Sequence, residues 1–200
     1  METILIRHAN SMGNARMTTD LNSDLTELGY KQAKATADFL YDYLDEEWLY
    51  GTILTSPFKR TFRTSSILAE KLGKSIEQNF HLKELIQEQA HFTEKSFPLV
   101  INERKEWVIK DMESDKECID RLDFIIRKTE VIYTLDKIKT IIVTHGIPMQ
   151  VLTELLLGNE LEELPEWDNS IKNCCITHIK DGELLLDRHV EHLKEGDVFI

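Results

Sequence analysis

Two spacings of apolar residues organise this chain. Ile4-Leu5-Ile6 and Ile141-Ile142-Val143 are unbroken apolar triplets, the pattern of strands covered on both faces. Ala33, Ala37, Leu40 and Leu44 recur at steps of four, three and four. That spacing predicts a helix from Glu27 to Leu44 with Thr26 as its N-cap. A short strand is expected at Thr52–Thr55. Ser56-Pro57 then reads as N-cap and first residue of a second helix, lined by Phe58, Phe62, Ser65, Ala69 and Leu72 and closed by Gly73. A third strand is expected around Ile76 to Asn79. Residues 86–113 lack a clear period and are expected to be irregular or partly helical. Ser114-Asp115-Lys116-Glu117 is a capping-box pattern, opening a helix to about Tyr133. Lys139 to Thr144 forms the second apolar strand, and a helix from about Pro148 to Leu157 stops at Gly158. Asp181-Gly182 joins two strand-like runs as a hairpin.

The alternation of strands and helices to residue 158 implies an α/β fold, with a mostly parallel central sheet and helices on both faces. The C-terminal β-hairpin adds antiparallel strands. No repeat, low-complexity tract or Pro/Gly-rich linker divides the chain, so residues 1–200 read as a single domain carrying an insert at 86–137.

Composition narrows the partners. The 200 residues are 42% hydrophobic and 30% charged, with a formal net charge of −12. Nucleic acid and anionic membranes both demand a positive footprint and are poor partners. An anionic small molecule would have to be held by a few local cations against an adverse overall field. No apolar stretch approaches a membrane span, and the first residues lack the basic region and apolar core of a secretory leader. Three cysteines, Cys118, Cys174 and Cys175, read as reduced thiols of a cytoplasmic protein. The last two are expected on opposite faces of a strand.

In an open sheet of this kind, ligands sit beyond the carboxyl ends of the strands. Three such ends carry chemistry. The first strand ends in Arg7-His8, the second runs into Ser56 to Arg60, and the late strand ends in Thr144-His145-Gly146. If these strands are neighbours, two arginines, two histidines and a helix N-terminus converge, with Asn14 in the following loop as a further donor. Arginine grips phosphate oxygens in bidentate fashion, and N–H groups at a helix start add to the pull. A neutral imidazole beside arginines is a competent nucleophile toward phosphorus, and the second histidine, if protonated, offsets charge on the equatorial oxygens. Such a set holds a phosphoryl group with no metal and no cofactor. An acid for the leaving oxygen is still required, and a nearby glutamate suits that task. Each element alone is ordinary: an Arg-His pair is usually a surface or salt-bridged pair, and Ser-Pro before a helix is usual capping chemistry. Their ordered co-occurrence at one sheet edge favours the reactive reading.

Other features carry less. His189 and His192, with His178 across the hairpin, suggest a metal, but a spacing of three along a strand places the first two on opposite faces. Lys59 and Arg63 are turned away from Arg60 by helical geometry. The acidic runs 42–47 and 160–163 read as solvated faces. Trp107 and Phe92 lie in the insert, where either a packing role or a part in substrate choice fits.

Leu5-Ile6-Arg7-His8-Ala9-Asn10-Ser11 with Asn14 resembles the Arg-His-Gly motif of the histidine phosphatase superfamily, the phosphoglycerate mutase-like enzymes. Asp24-Leu25-Thr26-Glu27-Leu28-Gly29 with Gln32-Ala33, Thr55 to Thr61 with Thr64, Leu82-Lys83-Glu84, and Val143-Thr144-His145-Gly146 are similar to four further motifs of that family, in order. The resemblance spans residues 1 to about 85 and 138 to about 190. It implies a three-layer α/β/α sandwich with the insert over the active site, and a phosphohistidine at His8. It also implies phosphate binding by Arg7, Arg60 and His145, and no metal. Three positions depart from the family. Ala9 stands where glycine is usual, and the extra methyl is expected to be tolerated. Asn10 replaces a common glutamate or glutamine, with a changed substrate contact as the expectation. The glycine and tryptophan usual after Glu84 are absent. Glu84 is the expected acid, with Glu88 as the alternative.

The function expected is a phosphomonoester phosphatase acting on small phosphorylated metabolites. The alternatives are a phosphoglycerate mutase and a non-catalytic phospho-ligand binding protein. A mutase needs more cations to hold a second phosphate, and the cations of the 86–137 insert are interspersed with acids. The intact set Arg7, His8, Arg60 and His145 speaks against a decayed site.

Overall fold

The computed structural model describes residues 1–48, 51–85, 99–101, 107–109, 113–136, 138–166, 168–194 and 196–198. Eight strands and four α-helices follow in chain order: β1 (Glu2–Arg7), α1 (Glu27–Tyr43), β2 (Thr52–Thr55), α2 (Lys59–Leu72), β3 (Ser75–Gln78), β4 (Leu99–Ile101), β5 (Trp107–Ile109), α3 (Asp115–Asp136), β6 (Thr140–Thr144), α4 (Gly146–Leu156), β7 (Ile176–Lys180) and β8 (Glu183–His189). Six strands form one sheet in the order β3-β2-β6-β1-β7-β8. β3, β2, β6 and β1 run parallel, while β7 and β8 are antiparallel additions. β4 and β5 form a separate antiparallel pair, in a stretch whose sequence suggested irregular or helical structure. Three-residue strands are too short for period 2 to show.

The apolar triplets explain the layers. Ile4, Ile6, Ile141 and Val143 point to one face and pack with Ala37 and Leu40 of α1 and Leu68 and Ala69 of α2. Leu5 and Ile142, between them in sequence, point to the other face. There they meet Leu122 and Ile125 of α3 and Met149 and Leu152 of α4. Alternation along a strand is what lets one triplet serve both layers. The result is the α/β/α sandwich, with α1 and α2 on one side and α3 and α4 on the other.

The helix caps follow the sequence with two exceptions. Thr26 caps α1, its hydroxyl accepting from Gly29 N at 3.0 Å. Ser114 and Glu117 complete the capping box of α3: Ser114 N donates to Glu117 Oε2 at 2.8 Å and Glu117 N to Ser114 Oγ at 3.3 Å. Gly73 closes α2 at φ 65°, a left-handed conformation that glycine adopts without steric cost. One exception is the start of α4, at Gly146 with His145 as N-cap instead of at Pro148; the other is the start of α2. Ser56-Pro57 does not cap it; Phe58 is the N-cap, without a side-chain bond. Ser56 has another partner, described below. Gly29 has a positional role: a Cβ there would lie 2.0 Å from Asn10 O, so α1 can approach the turn after β1 only with glycine at this point.

Candidate active site

The middle strand sets the site. β6 lies between β2 and β1, with Arg7 level with Thr144 and Thr55 level with Val143. Ser56 N donates to Val143 O at 3.1 Å and His8 N to Thr144 O at 2.9 Å. The three strand ends therefore deliver Ser56, His145 and His8 side by side, as the sheet-edge argument requires. The residue before α4, His145, is wholly buried, and its ring lies edge-on to His8 at 5.2 Å between centroids.

His8 is held in one tautomeric arrangement. Its Nδ1 lies 2.7 Å from the carbonyl oxygen of Ala9, which can only accept. Nδ1 therefore carries the proton and Nε2 carries the lone pair. Arg60 Nε donates to that lone pair at 3.1 Å. Burial, then the charges of Arg60 and Arg7, hold the His8 imidazole well below its ordinary range and keep it neutral. His145 is depressed in the same direction by burial first and by Arg60 and His8 next. Its Nε2 lies 2.8 Å from Ser56 Oγ. Ser56 Oγ also accepts from Phe58 N at 3.4 Å, and α2 starts only at Lys59, so Ser56 lies before the cap position.

Arg60 occupies the first turn of α2, where Nη1 donates to Leu21 O at 2.5 Å and the guanidinium lies 4.7 Å from the Phe58 ring centre. Burial lowers its pKa to about 10, against the opposing pull of Glu84. Arg7 donates through Nη1 to Ile171 O. The backbone around it is fixed by the loop before β7: Cys174 N donates to Arg7 O at 3.1 Å, and Asn173 Nδ2 to His8 O at 2.9 Å. Asn14 accepts through Oδ1 from Ser11 Oγ at 3.1 Å and from Asn173 Nδ2 at 3.2 Å, which leaves its amide N–H groups as the donors for a ligand.

Glu84 follows a short 3-10 turn at Phe80–Leu82. Thr144 Oγ1 donates to Leu82 O at 2.8 Å. Arg121 of α3, paired with Glu113, donates to His81 O. The segment that carries Glu84 is thus pinned from both sides. Glu84 Oε2 lies 3.5 Å from His145 Nδ1, with 27% of the side chain open to solvent. Burial raises its carboxyl pKa, although Arg60 and Arg7 pull the other way. Glu88, the alternative acid, lies outside the described residues, as does Phe92.

A cavity of about 280 Å³ opens over these groups, lined by Arg7, His8, Asn14, Arg60 and Glu84 among others. His145 lies behind Glu84 and His8 rather than in the cavity wall, and Gly146, the first residue of α4, contributes no lining either. The nitrogen and oxygen ligand atoms of His8, Glu84 and His145 all lie within 4.8 Å of one another, a spacing a metal ion can bridge. Two arginines border that point, however, and Arg60 already occupies the His8 lone pair. An anion fits this field better than a cation.

The departures from the family pattern find physical places. Ala9 is buried, its N donates to Thr64 Oγ1 at 3.1 Å, and its methyl packs with Leu25 and Leu193. Its φ is not positive, so glycine is not required. Asn10 does not reach the cavity: its Oδ1 accepts from Thr26 Oγ1 at 2.7 Å and its Nδ2 donates to Asn173 at 3.5 Å. The expected changed substrate contact is absent from this arrangement. Asn173 and Asp20 are site residues outside the motifs. Ser56 lies inside the second arginine motif, but the role expected of it is capping.

The other histidines are placed differently from the expectation. His178 is a buried, bonded histidine, with Glu2 at 3.1 Å and Tyr43 OH at 2.7 Å. His189 ends β8 and His192 lies past it, so their rings stack 5.3 Å apart against Phe39 instead of facing away from each other. Alternation holds only inside a strand. Arg63 faces Asp24 at 3.4 Å on the surface and Lys59 is exposed. Cys174 and Cys175 precede β7 instead of lying on it, and Cys174 is left-handed at φ 58°; this turn, rather than strand alternation, sends the two side chains to different apolar clusters.

Comparison with known proteins places this geometry. The sequence profile of the histidine phosphatase superfamily (branch 1) matches residues 3–187. A Bacillus subtilis protein called "Uncharacterized phosphatase PhoE" is 27% identical over 184 residues, covering 90% of this chain and 88% of its own. The Escherichia coli "Probable phosphoglycerate mutase GpmB" is 26% identical over 199 residues, covering 92% and 87%. The structure of mycobacterial glucosyl-3-phosphoglycerate phosphatase with VO3 superposes with a TM-score of 0.65 at 15% identity, covering 94% of this chain and 99% of its own.

Proposed function

The chain belongs to the histidine phosphatase superfamily, and we propose that it is a phosphomonoester phosphatase acting on small phosphorylated metabolites through a phosphohistidine at His8, without a metal. The observation that carries this reading is the His8 ring itself. Its Nδ1 is committed to Ala9 O, and its Nε2 lone pair lies 3.1 Å from Arg60 Nε. When a phosphoryl group arrives, its oxygens take the N–H groups of Arg60, Arg7 and Asn14, and Nε2 is released to the phosphorus. The Nε2–P bond forms as the P–O bond to the alcohol breaks. The departing oxygen takes a proton from Glu84, whose carboxyl is shifted toward the protonated form by burial. His145, with Ser56 Oγ–H donating to Nε2, keeps its proton on Nδ1 and directs it toward Glu84 Oε2 at 3.5 Å, so it positions the acid from behind the cavity wall. In the second half, the water oxygen attacks phosphorus as Glu84 takes a proton from that water, and the Nε2–P bond breaks. Phosphate leaves, with the lone pair returned to His8 Nε2.

A mutase must hold a second anionic group. The described cavity wall offers Arg7 and Arg60, both engaged with the first phosphate, and the acids Asp20 and Glu84. This favours hydrolysis over phosphoglycerate transfer, despite the name of the E. coli relative. No described helix is long and apolar enough to cross a membrane; the three cysteines are buried and free, which fits a reducing compartment such as the cytoplasm. The test is phosphate release from p-nitrophenyl phosphate in buffer with excess chelator, beside interconversion of phosphoglycerates with added bisphosphate. Hydrolysis that survives chelation, without interconversion, is expected. Interconversion faster than hydrolysis establishes a mutase instead. Loss of activity on chelation, restored by magnesium or zinc, overturns the metal-free site.

A further inference from the structure

The loop between Ser11 and Leu25 makes one wall of the cavity and carries a charge that the chemistry above does not use. Asp20 lines the cavity beside Arg60. Its Oδ1 accepts from Asn22 N at 2.9 Å, and Asn22 Oδ1 accepts in turn from Lys59 N at 2.8 Å, at the start of α2. Leu21 O accepts from Arg60 Nη1. The turn at 20–22 is thus fastened to the helix that carries Arg60, so Asp20 stands at a fixed place relative to the phosphoryl group. Among the described residues, no partner is bonded to its Oδ2.

The charges around the cavity are unequally placed. Arg7 and Arg60 lie at the phosphoryl end with Glu84, and among the described lining residues no third cation balances Asp20. Thr18, Thr19 and Ser23 share its wall. The part of an ester that projects past Arg60 meets a carboxylate and hydroxyl groups, in a protein of net charge −12. A second phosphate or a carboxylate there would face like charge, whereas an ammonium or a hydroxyl would find an acceptor.

Building on the phosphatase reading, we propose that Asp20 selects the alcohol half of the substrate: the protein takes phosphomonoesters whose alcohol bears a hydroxyl or ammonium group and no further anionic group. Asp20 is a specificity-determining residue in this account and takes no part in the bond-making steps.

Binding tests this without relying on turnover. Affinities of phosphoethanolamine, glycerol 3-phosphate and 3-phosphoglycerate are measured by calorimetry on His8→Ala protein, in which no ester is consumed. Phosphoethanolamine and glycerol 3-phosphate are expected to bind at least about tenfold more tightly than 3-phosphoglycerate, from the cost of like-charge juxtaposition. Asp20→Asn in the same background keeps an oxygen that accepts from Asn22 N, so the turn and the Arg60 anchor survive while the charge is lost. The gap is then expected to shrink to about threefold or less, and Asp20→Lys is expected to reverse the order. An order unchanged by Asp20→Asn and Asp20→Lys overturns the proposal. So does tightest binding of 3-phosphoglycerate with Asp20 intact, or binding of none of the three esters. If the esters bind in the expected order but protein with His8 intact releases no phosphate, the hydrolytic reading fails and the selection by Asp20 stands.

Discussion

The two ends of β1, Glu2 and Arg7, bury ionisable groups and treat them in opposite ways. At the amino end, Glu2 is buried with Lys139 at 3.3 Å, Lys180 at 3.4 Å and His178 at 3.1 Å. Glu47 closes on Lys139 at 2.8 Å, and Tyr43 on the far side of His178 at 2.7 Å. Acids and bases alternate there, and none of these groups lines the cavity above His8. At the carboxyl end, Arg7, His8, Arg60 and His145 gather with Glu84 and Asp20 as acidic neighbours, at a cavity of about 280 Å³. A buried charge that is fully paired holds elements together; one left short of a counter-charge and facing a cavity is a place for a ligand. Both ends contain a histidine depressed by burial. At His178 the Glu2 carboxylate opposes that shift, whereas at His8 two arginines add to it.

Exchanging the roles of the two ends should fail, and this can be measured. His8→Ala is expected to abolish turnover of every ester while leaving the denaturation midpoint nearly unchanged. A surviving turnover with loss of stability would assign His8 to the structural class. Glu84→Gln is expected to slow alkyl phosphates by about 10²–10⁴-fold, the usual worth of a positioned proton donor. p-Nitrophenyl phosphate, whose leaving group needs little protonation, should suffer far less. Equal losses on the two substrates would remove Glu84 from the acid role and move attention to Glu88. Arg60→Lys keeps the charge but loses the planar fork, and kcat/KM should fall by about 10²-fold or more. A near-normal value would mean that charge alone suffices at that position.

At the amino end the expected effect is on stability. Glu2→Ala leaves Lys139 and His178 without their shared acid and should cost about 3 kcal/mol in chemical denaturation, the low end for a broken buried pair because Asp45 and Glu47 still face Lys139. kcat/KM should change by less than about twofold, since Glu2 contacts no group that lines the cavity. The smallest effect is on pH dependence. His8, His145, His178 and His192 all have folded-state pKa values below the ordinary one, His192 at about 4. The unfolded chain therefore binds more protons below about pH 6.5, and stability is full above that value and is lost as pH falls toward 4. Denaturation midpoints that stay level from pH 7 to 5 would contradict this.

The sequence showed the site more clearly than its surroundings, for physical reasons. Arg7, His8 and His145 are fixed by strand ends, and strand ends are legible from apolar triplets such as Ile141-Ile142-Val143. Capping is a local affair, so Thr26 and Ser114 were placed correctly. Ser56 was misread because its partner, His145, is 89 residues away, and local pattern carries no information at that range. The stacking of His189 on His192 was missed for a related reason: β8 ends at His189, and the period-2 rule stops there. Asn173 and Asp20 stand on irregular loops, where no periodicity marks which way a side chain faces.

The central claim is that His8 Nε2 becomes bonded to phosphorus, and rapid quenching of the protein during turnover of a labelled phosphomonoester tests it most directly. Protein-bound phosphate that is labile to acid and stable to alkali is expected, mapping to His8 and absent from His8→Ala. Label on a serine or aspartate, or sustained turnover with no protein-bound phosphate at any quench time, would contradict it.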